Sequence, residues 1–353
     1  MKIVFAIPCL GFGGAERVVS VLSNELVKEH DVTILLLAGD SEVAYTLDNR
    51  VKLVAVDGGA ISTWLDFRKK CKALAPDVVI AFLTDIGVMS AFFLLGTGIP
   101  VIASERNDPS AKGEKLSLKL KILNFISSHV MKGYVFQSEG ARDYYPNYVR
   151  KKSTIILNPV DSVKLPTRDQ KSIDNRIVSV GRLNPQKNHR MLIEAFALST
   201  ASADHTLHIY GEGALRNELS ELIKELGMEN KIFLEGNQAQ VHEKIKNAKL
   251  FVFTSDYEGL PNALMEAMAI GLPCISTDCS PGGARMLIKD GKNGILIPCG
   301  DAERLTLKLD ELCRDQQKLY ELGNNARMIR QKANIGTVVD AWEAFIKSIV
   351  NNN

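Results

Sequence analysis

The sequence predicts two doubly wound α/β domains that follow one another in the chain and face a cleft. Short apolar runs without polar alternation recur between longer helix-like segments up to about residue 160, as is typical of buried parallel strands. The same pattern restarts after a polar stretch, residues 157–175, which contains Pro159 and Pro166. A length of 353 residues agrees with two domains, because one hydrophobic core rarely supports so long a chain.

Each apolar run is predicted to form one strand. The runs of the first half are KIVFAI, DVTILLLA, VKLVAV, DVVIAFL, PVIAS, GYVFQS and TIILNPV; those of the second are RIVSVG, TLHIYG, KIFLEG, LFVFTS, PCISTD and GILIP. The first predicted helix carries an apolar stripe, formed by Ala15, Val18, Val19, Leu22 and Leu26. We place the first domain at residues 1–163 and the second at 164–336.

Composition excludes several classes of protein. The net charge of +2 does not favour nucleic acid as a partner. The six cysteines form no C-x-x-C pair and lie mostly in apolar runs, so we expect reduced thiols and a cytoplasmic protein. No apolar stretch reaches the roughly 18–20 residues of a membrane-spanning helix, and the first apolar run lacks a signal-peptide cleavage site.

A glycine-rich turn follows the first predicted strand. Gly11, Gly13 and Gly14 precede the first helix, and such a turn exposes backbone N–H groups to a phosphate. A dinucleotide fingerprint would need glycine where Glu16 stands, and the G-K-[ST] of a P-loop is absent. The functional interpretation is a phosphate loop, and a plain tight turn is the alternative.

Charged residues cluster at two places in the second half. Arg182 and Lys187 flank a strand-to-helix loop in VGRLNPQKN, where they could hold a diphosphate or form ordinary solvated surface. Pro261 suits the first turn of a helix, so we expect Glu258 in the loop before that helix and Glu266 inside it. The two carboxylates are eight residues apart, which at a helical rise is about 12 Å. They could accept hydrogen bonds from sugar hydroxyls at the two ends of a nucleoside diphosphate sugar, or be acidic residues of an ordinary helix.

With these motifs assembled, the chain resembles family 4 of the retaining glycosyltransferases, which have the GT-B fold of two Rossmann-like domains facing a cleft. The resemblance is carried by GFGGAER, ASERNDP, IILNPVD, VGRLNPQKN, IYGEGALR and the Glu258-to-Glu266 spacing. It implies that Arg182, Lys187 and Glu258 act in catalysis. It also implies a donor site made of Gly13, Gly14, Arg182, Lys187, Gly211, Gly213, Glu258, Gly259, Leu260, Pro261, Asn262 and Glu266.

Within that site, the resemblance assigns Arg182 and Lys187 to the pyrophosphate, Glu266 to the ribose and Glu258 to the transferred sugar. It implies no cofactor and no metal, and the sequence has no D-x-D motif. The last helix, 337–353, is expected to pack back onto the first domain.

One motif departs from the family. Many relatives have histidine after the Ser-Glu pair, where this chain has Arg106 and Asn107. We assign Glu105, Arg106 and Asn107 to the acceptor or the transferred sugar. Arg106 or Asn107 replaces the histidine, or Arg106 holds an acceptor phosphate.

The motifs GGAER, SER and LNP are similar to those of bacterial transferases that extend glycans on polyprenyl diphosphate, including N-acetylgalactosaminyltransferases. This similarity implies a UDP-sugar donor, a hexose or N-acetylhexosamine as the transferred group, and a lipid-linked glycan acceptor. Residues 106–152 hold ten basic and four acidic side chains. A helix within 112–126 could rest on an anionic membrane surface, placing the enzyme on the inner face of the plasma membrane, or be an ordinary solvated helix.

Two other functions fit the same architecture. A UDP-sugar 2-epimerase would need acid and base groups at the sugar, and of the six histidines only His189 lies in a motif expected to face the cleft. A non-catalytic module would bind UDP without turnover.

Overall fold

The computed structural model describes residues 1–11, 13–39, 43–109 and 118–352, with the backbone alone for 118–120. The chain divides into two compact units. Unit 1 contains Met1–Pro159 and the residues from Ile335 onward, and unit 2 contains Val160–Asn334.

Unit 1 is built on a parallel sheet. Its elements up to residue 155 are β1 Lys2–Ile7, α1 Gly14–Leu26, β2 Asp31–Leu36, β3 Lys52–Ala55, α2 Ile61–Leu74, β4 Val78–Phe82, α3 Thr84–Phe93, β5 Val101–Ser104, α4 Leu118–Val130, β6 Gly133–Phe136, α5 Glu139–Asp143, α6 Asn147–Arg150 and β7 Ser153–Ile155. The seven strands have the order β3-β2-β1-β4-β5-β6-β7. This order makes unit 1 a doubly wound domain with its switch point between β1 and β4.

Unit 2 repeats the design. Its elements are β8 Arg176–Val180, α7 His189–Leu198, β9 Thr206–Tyr210, α8 Arg216–Glu225, β10 Ile232–Gly236, α9 Val241–Ile245, β11 Leu250–Phe253, α10 Asn262–Ile270, β12 Cys274–Thr277, α11 Gly283–Leu287, β13 Ile295–Ile297, α12 Ala302–Arg314, α13 Gln316–Ala326 and α14 Ile329–Lys332. Short 3-10 turns cover Pro185–Lys187 and Thr200–Ala203. The parallel sheet has the order β10-β9-β8-β11-β12-β13, so its switch point lies between β8 and β11.

The predicted fold class is confirmed, and every predicted apolar run forms a strand. Strand β1 shows the reason. Ile3, Phe5 and Ile7 pack in the core on one face of the sheet, while Val4 and Ala6 pack on the other. A strand buried on both faces needs apolar residues at every position.

The last helix, α15 Ile335–Asn351, belongs to unit 1. Val338, Trp342 and Ile346 are its buried residues. The Trp342 ring stacks on Phe82 at the end of β4, with the ring centroids 5.9 Å apart. A segment that follows unit 2 in the chain therefore completes the core of unit 1.

The units divide four residues before the boundary expected near residue 164. The Val160 N–H donates to the Ala333 carbonyl at 2.7 Å, and Val160 also forms a parallel bridge with Asn334. This pairing fixes residue 160 in unit 2 and sets the second division after Asn334, rather than at residue 337.

Candidate functional site

The switch point of unit 2 brings together two of the predicted motifs. Strands β8 and β11 are neighbours in the sheet, and both end at the same edge. The loop after β8, residues 181–188, carries Arg182 and Lys187, and the loop after β11, residues 254–261, carries Glu258. Ligands of open α/β sheets bind beyond the carboxyl ends of strands at such a point.

The loop after β8 is shaped by its own side chains. Asn184 caps the 3-10 turn by accepting the Lys187 N–H, and Asn188 caps α7 by accepting the Met191 N–H. Asn188 has φ 45°, a left-handed conformation that asparagine tolerates. The loop thereby leaves Arg182 exposed and directs Lys187 toward the neighbouring loop.

Lys187 and Glu258 form an ion pair across the two loops. Lys187 Nζ donates to Glu258 Oε2 at 2.7 Å, with side-chain exposures of 15% and 18%. Gln186 Nε2 donates to the same Oε2 at 3.2 Å and to the Tyr257 carbonyl at 2.9 Å. Lys187 Nζ also lies 4.8 Å from the centre of the Phe253 ring. The arrangement holds a cation and a carboxylate side by side at the edge of the sheet.

Backbone contacts fix the Glu258 loop from the other side. The Glu258 N–H donates to the Ser280 carbonyl at 2.9 Å. Gly283 packs against the Gly259 carbonyl so closely that a Cβ there would clash with it. Gly283 thus supports the loop by close backbone packing.

Helix α10 begins just after Pro261, which was expected inside its first turn, and Glu258 lies in the loop before the helix, as predicted. Pro261, with ψ 97°, is the N-cap residue, and the first helical residue is Asn262, which is half-buried. Gly259 and Leu260 are buried in the loop before it. The estimate of about 12 Å between the two carboxylates used a helical rise for all eight residues, so it does not apply.

Glu266 lies in α10 and has a partner that sequence reasoning missed. Its Oε2 is 2.8 Å from Nε2 of His242, with side-chain exposures of 12% for Glu266 and 27% for His242. No motif surrounds His242, and the contact arises because α9 packs against α10.

Gly211 and Gly213 have a packing role. A Cβ on Gly211 would clash with the Gly181 carbonyl, and a Cβ on Gly213 would clash with the Leu183 carbonyl. The Leu183 N–H also donates to the Glu212 carbonyl at 2.9 Å. These glycines hold the loop that carries Arg182, and their direct contact with a donor stays a prediction.

His189 is buried at the start of α7, with 3% of its surface exposed. Burial and the nearby Lys187 ammonium lower the pKa of His189 to about 4, against an opposing effect of the Gly181 and Arg182 backbone. The imidazole is therefore neutral near pH 7. It supports the loop as a packed group rather than as a cation.

The glycine loop of unit 1 lies at the other switch point, after β1. Gly13 is the N-cap of α1 and Gly14 its first residue, and no side chain caps this helix. The Gly13 carbonyl accepts from the Tyr45 hydroxyl at 2.9 Å. Such a helix start can present N–H groups to an anion, and phosphate binding by Gly13 and Gly14 stays a prediction.

The three residues assigned to the acceptor have different environments. Glu105 is buried and accepts from the Tyr145 hydroxyl at 2.9 Å, from Thr84 and from the backbone N–H groups of Arg106 and Asn107. Asn107 is exposed.

Arg106 points into unit 1. It donates to Asn158 Oδ1 at 2.8 Å, and its guanidinium lies 4.4 Å from the centre of the Phe82 ring. Burial lowers the pKa of Arg106 to about 9. Of the residues that could replace the family histidine, only Asn107 presents its side chain at the surface.

The predicted membrane segment, 112–126, lies partly outside the described residues, which resume at 118. In the described part of α4, Ile122 and Phe125 are 52% and 62% exposed. None of the helices described is both long and apolar enough to cross a bilayer. Over the same residues, no three His, Cys, Asp or Glu side chains are grouped as ligands for a metal.

Comparison with known proteins decides the family. Residues 166–328 match the family described as Glycosyl transferases group 1, and residues 12–164 match Glycosyltransferase Family 4. The chain is a family 4 glycosyltransferase.

Relatives of this glycosyltransferase include two enzymes of Campylobacter jejuni. One is an α-1,4-N-acetyl-D-galactosaminyltransferase whose named substrate is a GalNAc-GalNAc-diNAcBac glycan on undecaprenyl diphosphate; it is 30% identical over 99% of both chains. The other is a 4-α-N-acetylgalactosaminyltransferase named for a diphospho-undecaprenol substrate, 28% identical over 94% of this chain and 95% of its own length.

The glycosyltransferase also matches solved GT-B structures. The structure of Anabaena HepE in complex with UDP superimposes with a TM-score of 0.85 over 99% of this chain and 100% of HepE. At 19% sequence identity, this likeness shows the shared fold.

Proposed function

We propose that this glycosyltransferase is a retaining, metal-independent enzyme that moves a hexose or N-acetylhexosamine from a UDP-sugar to a lipid-linked glycan in bacterial glycan assembly. The observation that carries the proposal is the Lys187–Glu258 pair at the switch point of unit 2, which joins the loop of Arg182 and Lys187 to the loop of Glu258. The C. jejuni relatives named for undecaprenol-linked substrates support the acceptor class. The UDP complex of HepE supports the nucleotide.

The chemistry follows from the charges at this point. Departure of UDP places negative charge on the diphosphate, and fixed cations beside it stabilise that charge in the transition state. Arg182 can bind phosphate in bidentate fashion, while Lys187 acts as a point charge. Before the donor binds, Glu258 holds Lys187 in position, so the ammonium needs no large rearrangement to meet a phosphate.

Glu258 then has a second task. An ionised carboxylate accepts hydrogen bonds only, so Glu258 suits the hydroxyl groups of the transferred sugar. When Lys187 turns to the diphosphate, these hydroxyls replace the ammonium as partners of Glu258. Donor binding thus replaces the Lys187–Glu258 hydrogen bond with hydrogen bonds from Lys187 to the diphosphate and from the sugar hydroxyls to Glu258.

The deciding test is nucleotide release from a panel of UDP- and GDP-sugars in EDTA, with and without a polyprenyl-diphosphate glycan. We expect acceptor-dependent release of UDP from one sugar and an α-linked product by NMR. Lys187→Ala should lower kcat at least about 100-fold, as loss of one transition-state donor does elsewhere. Lys308→Ala, which removes a Lys–Glu pair of unit 2 whose lysine side chain is 18% exposed, is the matched control.

Four results would overturn the proposal. An inverted linkage would exclude retention, and activity restored only by added metal would exclude metal independence. Release of UDP without acceptor, together with a free epimerised sugar, would identify a 2-epimerase. Bound UDP without turnover on any acceptor would identify a binding module.

We also propose that the enzyme works at the inner face of the plasma membrane. Ile122 and Phe125 are exposed on α4, and basic residues are frequent in the surrounding sequence. Apolar side chains next to basic ones favour binding at an anionic interface.

Flotation with vesicles containing phosphatidylglycerol tests this second proposal. The wild type should float in a salt-sensitive manner, and the double variant Ile122→Ser/Phe125→Ser should not. Leu198→Ser, at a 78% exposed position of unit 2, should float like the wild type. Membrane binding through α4 would be contradicted if the double variant floated, or if the wild type did not float.

A further inference from the structure

The contact between His242 and Glu266 joins two helices of unit 2. His242 lies in α9, a five-residue helix anchored by the buried Ile245, and Glu266 lies in the second turn of α10. Their atoms Nε2 and Oε2 are 2.8 Å apart. Both side chains are partly shielded, so the hydrogen bond is less exposed to competing water than one on the surface.

The contact constrains the carboxylate. An ionised carboxylate only accepts hydrogen bonds, so Nε2 of His242 carries the proton in this pair. A glutamate side chain has several rotatable bonds, and ordering it costs conformational entropy. A hydrogen bond that fixes one oxygen in the free protein orders the carboxylate in advance, and it also sets the direction of the second oxygen.

We propose that His242 is a positioning residue for the donor: it orients Glu266 so that the carboxylate can accept hydrogen bonds from the neighbouring hydroxyls of the donor ribose. The inference rests on the proposed function, because it needs a UDP-sugar donor, and on the ribose role that the family resemblance assigns to Glu266. His242 itself touches no reacting atom. Its contribution is to donor affinity, and the chemical step does not depend on it.

The test compares variants of His242 on two donors, the preferred UDP-sugar and its 2′-deoxyuridine analogue. His242→Leu removes the N–H, while His242→Gln keeps a donor at a similar reach. On the UDP-sugar, His242→Leu should raise KM about tenfold with kcat within about twofold, the scale expected for a hydrogen bond to a charged group. His242→Gln should restore KM to within about threefold of the wild type.

The deoxy analogue separates positioning from a general structural role. The wild type should lose affinity when the hydroxyl is removed, whereas His242→Leu, with a disordered carboxylate, should lose much less. His242→Asn, whose amide is too short to reach Glu266, should behave like His242→Leu and serves if that variant fails to fold. The inference would be overturned if His242→Leu raised KM equally on both donors relative to the wild type, or if it raised KM on neither.

Two further variants isolate the cause. His30→Leu breaks a similar pair, with His30 Nε2 and Glu343 Oε1 2.9 Å apart in unit 1, and it should leave the donor KM unchanged. Glu266→Gln tests the underlying assignment: if it leaves the donor KM unchanged, Glu266 does not bind the nucleotide and its assignment to the ribose fails, while acceptor-dependent UDP release still tests the proposed function. If Glu266→Gln raises KM and His242→Leu does not, only the role of His242 is wrong.

Discussion

Neighbouring residues of one motif can have unrelated roles, as Glu105, Arg106 and Asn107 show. The Glu105 carboxylate binds the backbone N–H groups of the next two residues, which turns the chain sharply after β5. That turn places Arg106 against Phe82 and Trp342 and leaves Asn107 outside. A sequence comparison treats the three alike, whereas the structure separates a shaping residue, a core residue and a surface residue.

We therefore expect opposite effects from two substitutions in this motif. Asn107→Ala should lower the transfer rate about tenfold, because one hydrogen bond to the substrate is lost, and it should leave the melting temperature unchanged. Arg106→Ala should lower the free energy of unfolding of unit 1 by roughly 3 kcal/mol, because a buried side chain is removed. Steady-state kinetics and urea unfolding distinguish them. A stable Arg106→Ala protein with a raised acceptor KM would instead favour an acceptor-phosphate role for Arg106.

The lowered pKa of His189 predicts that the stability of unit 2 depends on pH. Its pKa is about 4 in the folded protein and roughly 6.5 in an unfolded chain. Since the unfolded state binds the proton more readily, the stability contributed by the neutral ring is complete above pH 6.5 and is lost as pH falls toward 4. The loss amounts to at most about 3 kcal/mol.

Urea unfolding at pH 7 and pH 4.5 measures this loss. Both tryptophans, Trp64 and Trp342, lie in unit 1, so tryptophan fluorescence follows unit 1 and far-UV circular dichroism follows both units. The circular dichroism transition of unit 2 should lose more stability at pH 4.5 in the wild type than in His189→Gln. Equal losses in the two proteins would mean that His189 is not buried as a neutral ring.

At the scale of helices and strands, the sequence was most informative where burial is continuous. Strands such as β1 and β4 are buried along almost their whole length, and such a strand appears in the sequence as an apolar run. The edge strand β3 also forms, although its residues are only partly buried or exposed. The start of α10 was predicted less well, because Pro261 acts as a cap outside the helix. The His242–Glu266 contact could not be predicted, since it depends on how two helices pack across 24 residues of sequence.

The same limit applies to the Lys187–Glu258 pair. The motifs placed both residues in one site, and the strand order explains why their loops are neighbours. Their direct hydrogen bond depends on loop details, such as the Thr254 hydroxyl donating to the Lys187 carbonyl at 2.9 Å. No periodicity in the sequence encodes such a contact.

Gly213 packs against the backbone of the loop that carries Arg182, so even substitution by alanine should perturb that loop. Gly213→Ala would force its Cβ against the Leu183 carbonyl and displace the loop that carries Arg182. We expect a donor KM raised at least about tenfold and a lower melting temperature. Gly59→Ala, where no atom lies within 4 Å of the added Cβ, is the control and should change neither. A normal donor KM in Gly213→Ala would show that the loop can shift without affecting the site.

At the scale of the molecule, unit 1 depends on a distant part of its own chain. Trp342 is completely buried and stacks on Phe82, which is also 0% exposed. Trp342→Ala should therefore lower the free energy of unfolding of unit 1 by roughly 3–5 kcal/mol. Fluorescence of the remaining Trp64 should report this change, while the unfolding transition of unit 2 should stay where it is. A coincident shift of both transitions would show that the two units unfold together.

The return of α15 has a consequence for biosynthesis. A ribosome releases the seven strands of unit 1 well before it reaches residue 335, and domains generally fold as they emerge. Until α15 arrives, the surface around Phe82 lacks the indole that covers it, and all of unit 2 must be translated in between. Unit 2, which is continuous in the chain, can reach its native state first. The nascent protein therefore passes through a stage in which unit 2 is folded and the core of unit 1 is still exposed around Phe82. At that stage a chaperone could bind the exposed apolar surface at the end of β4.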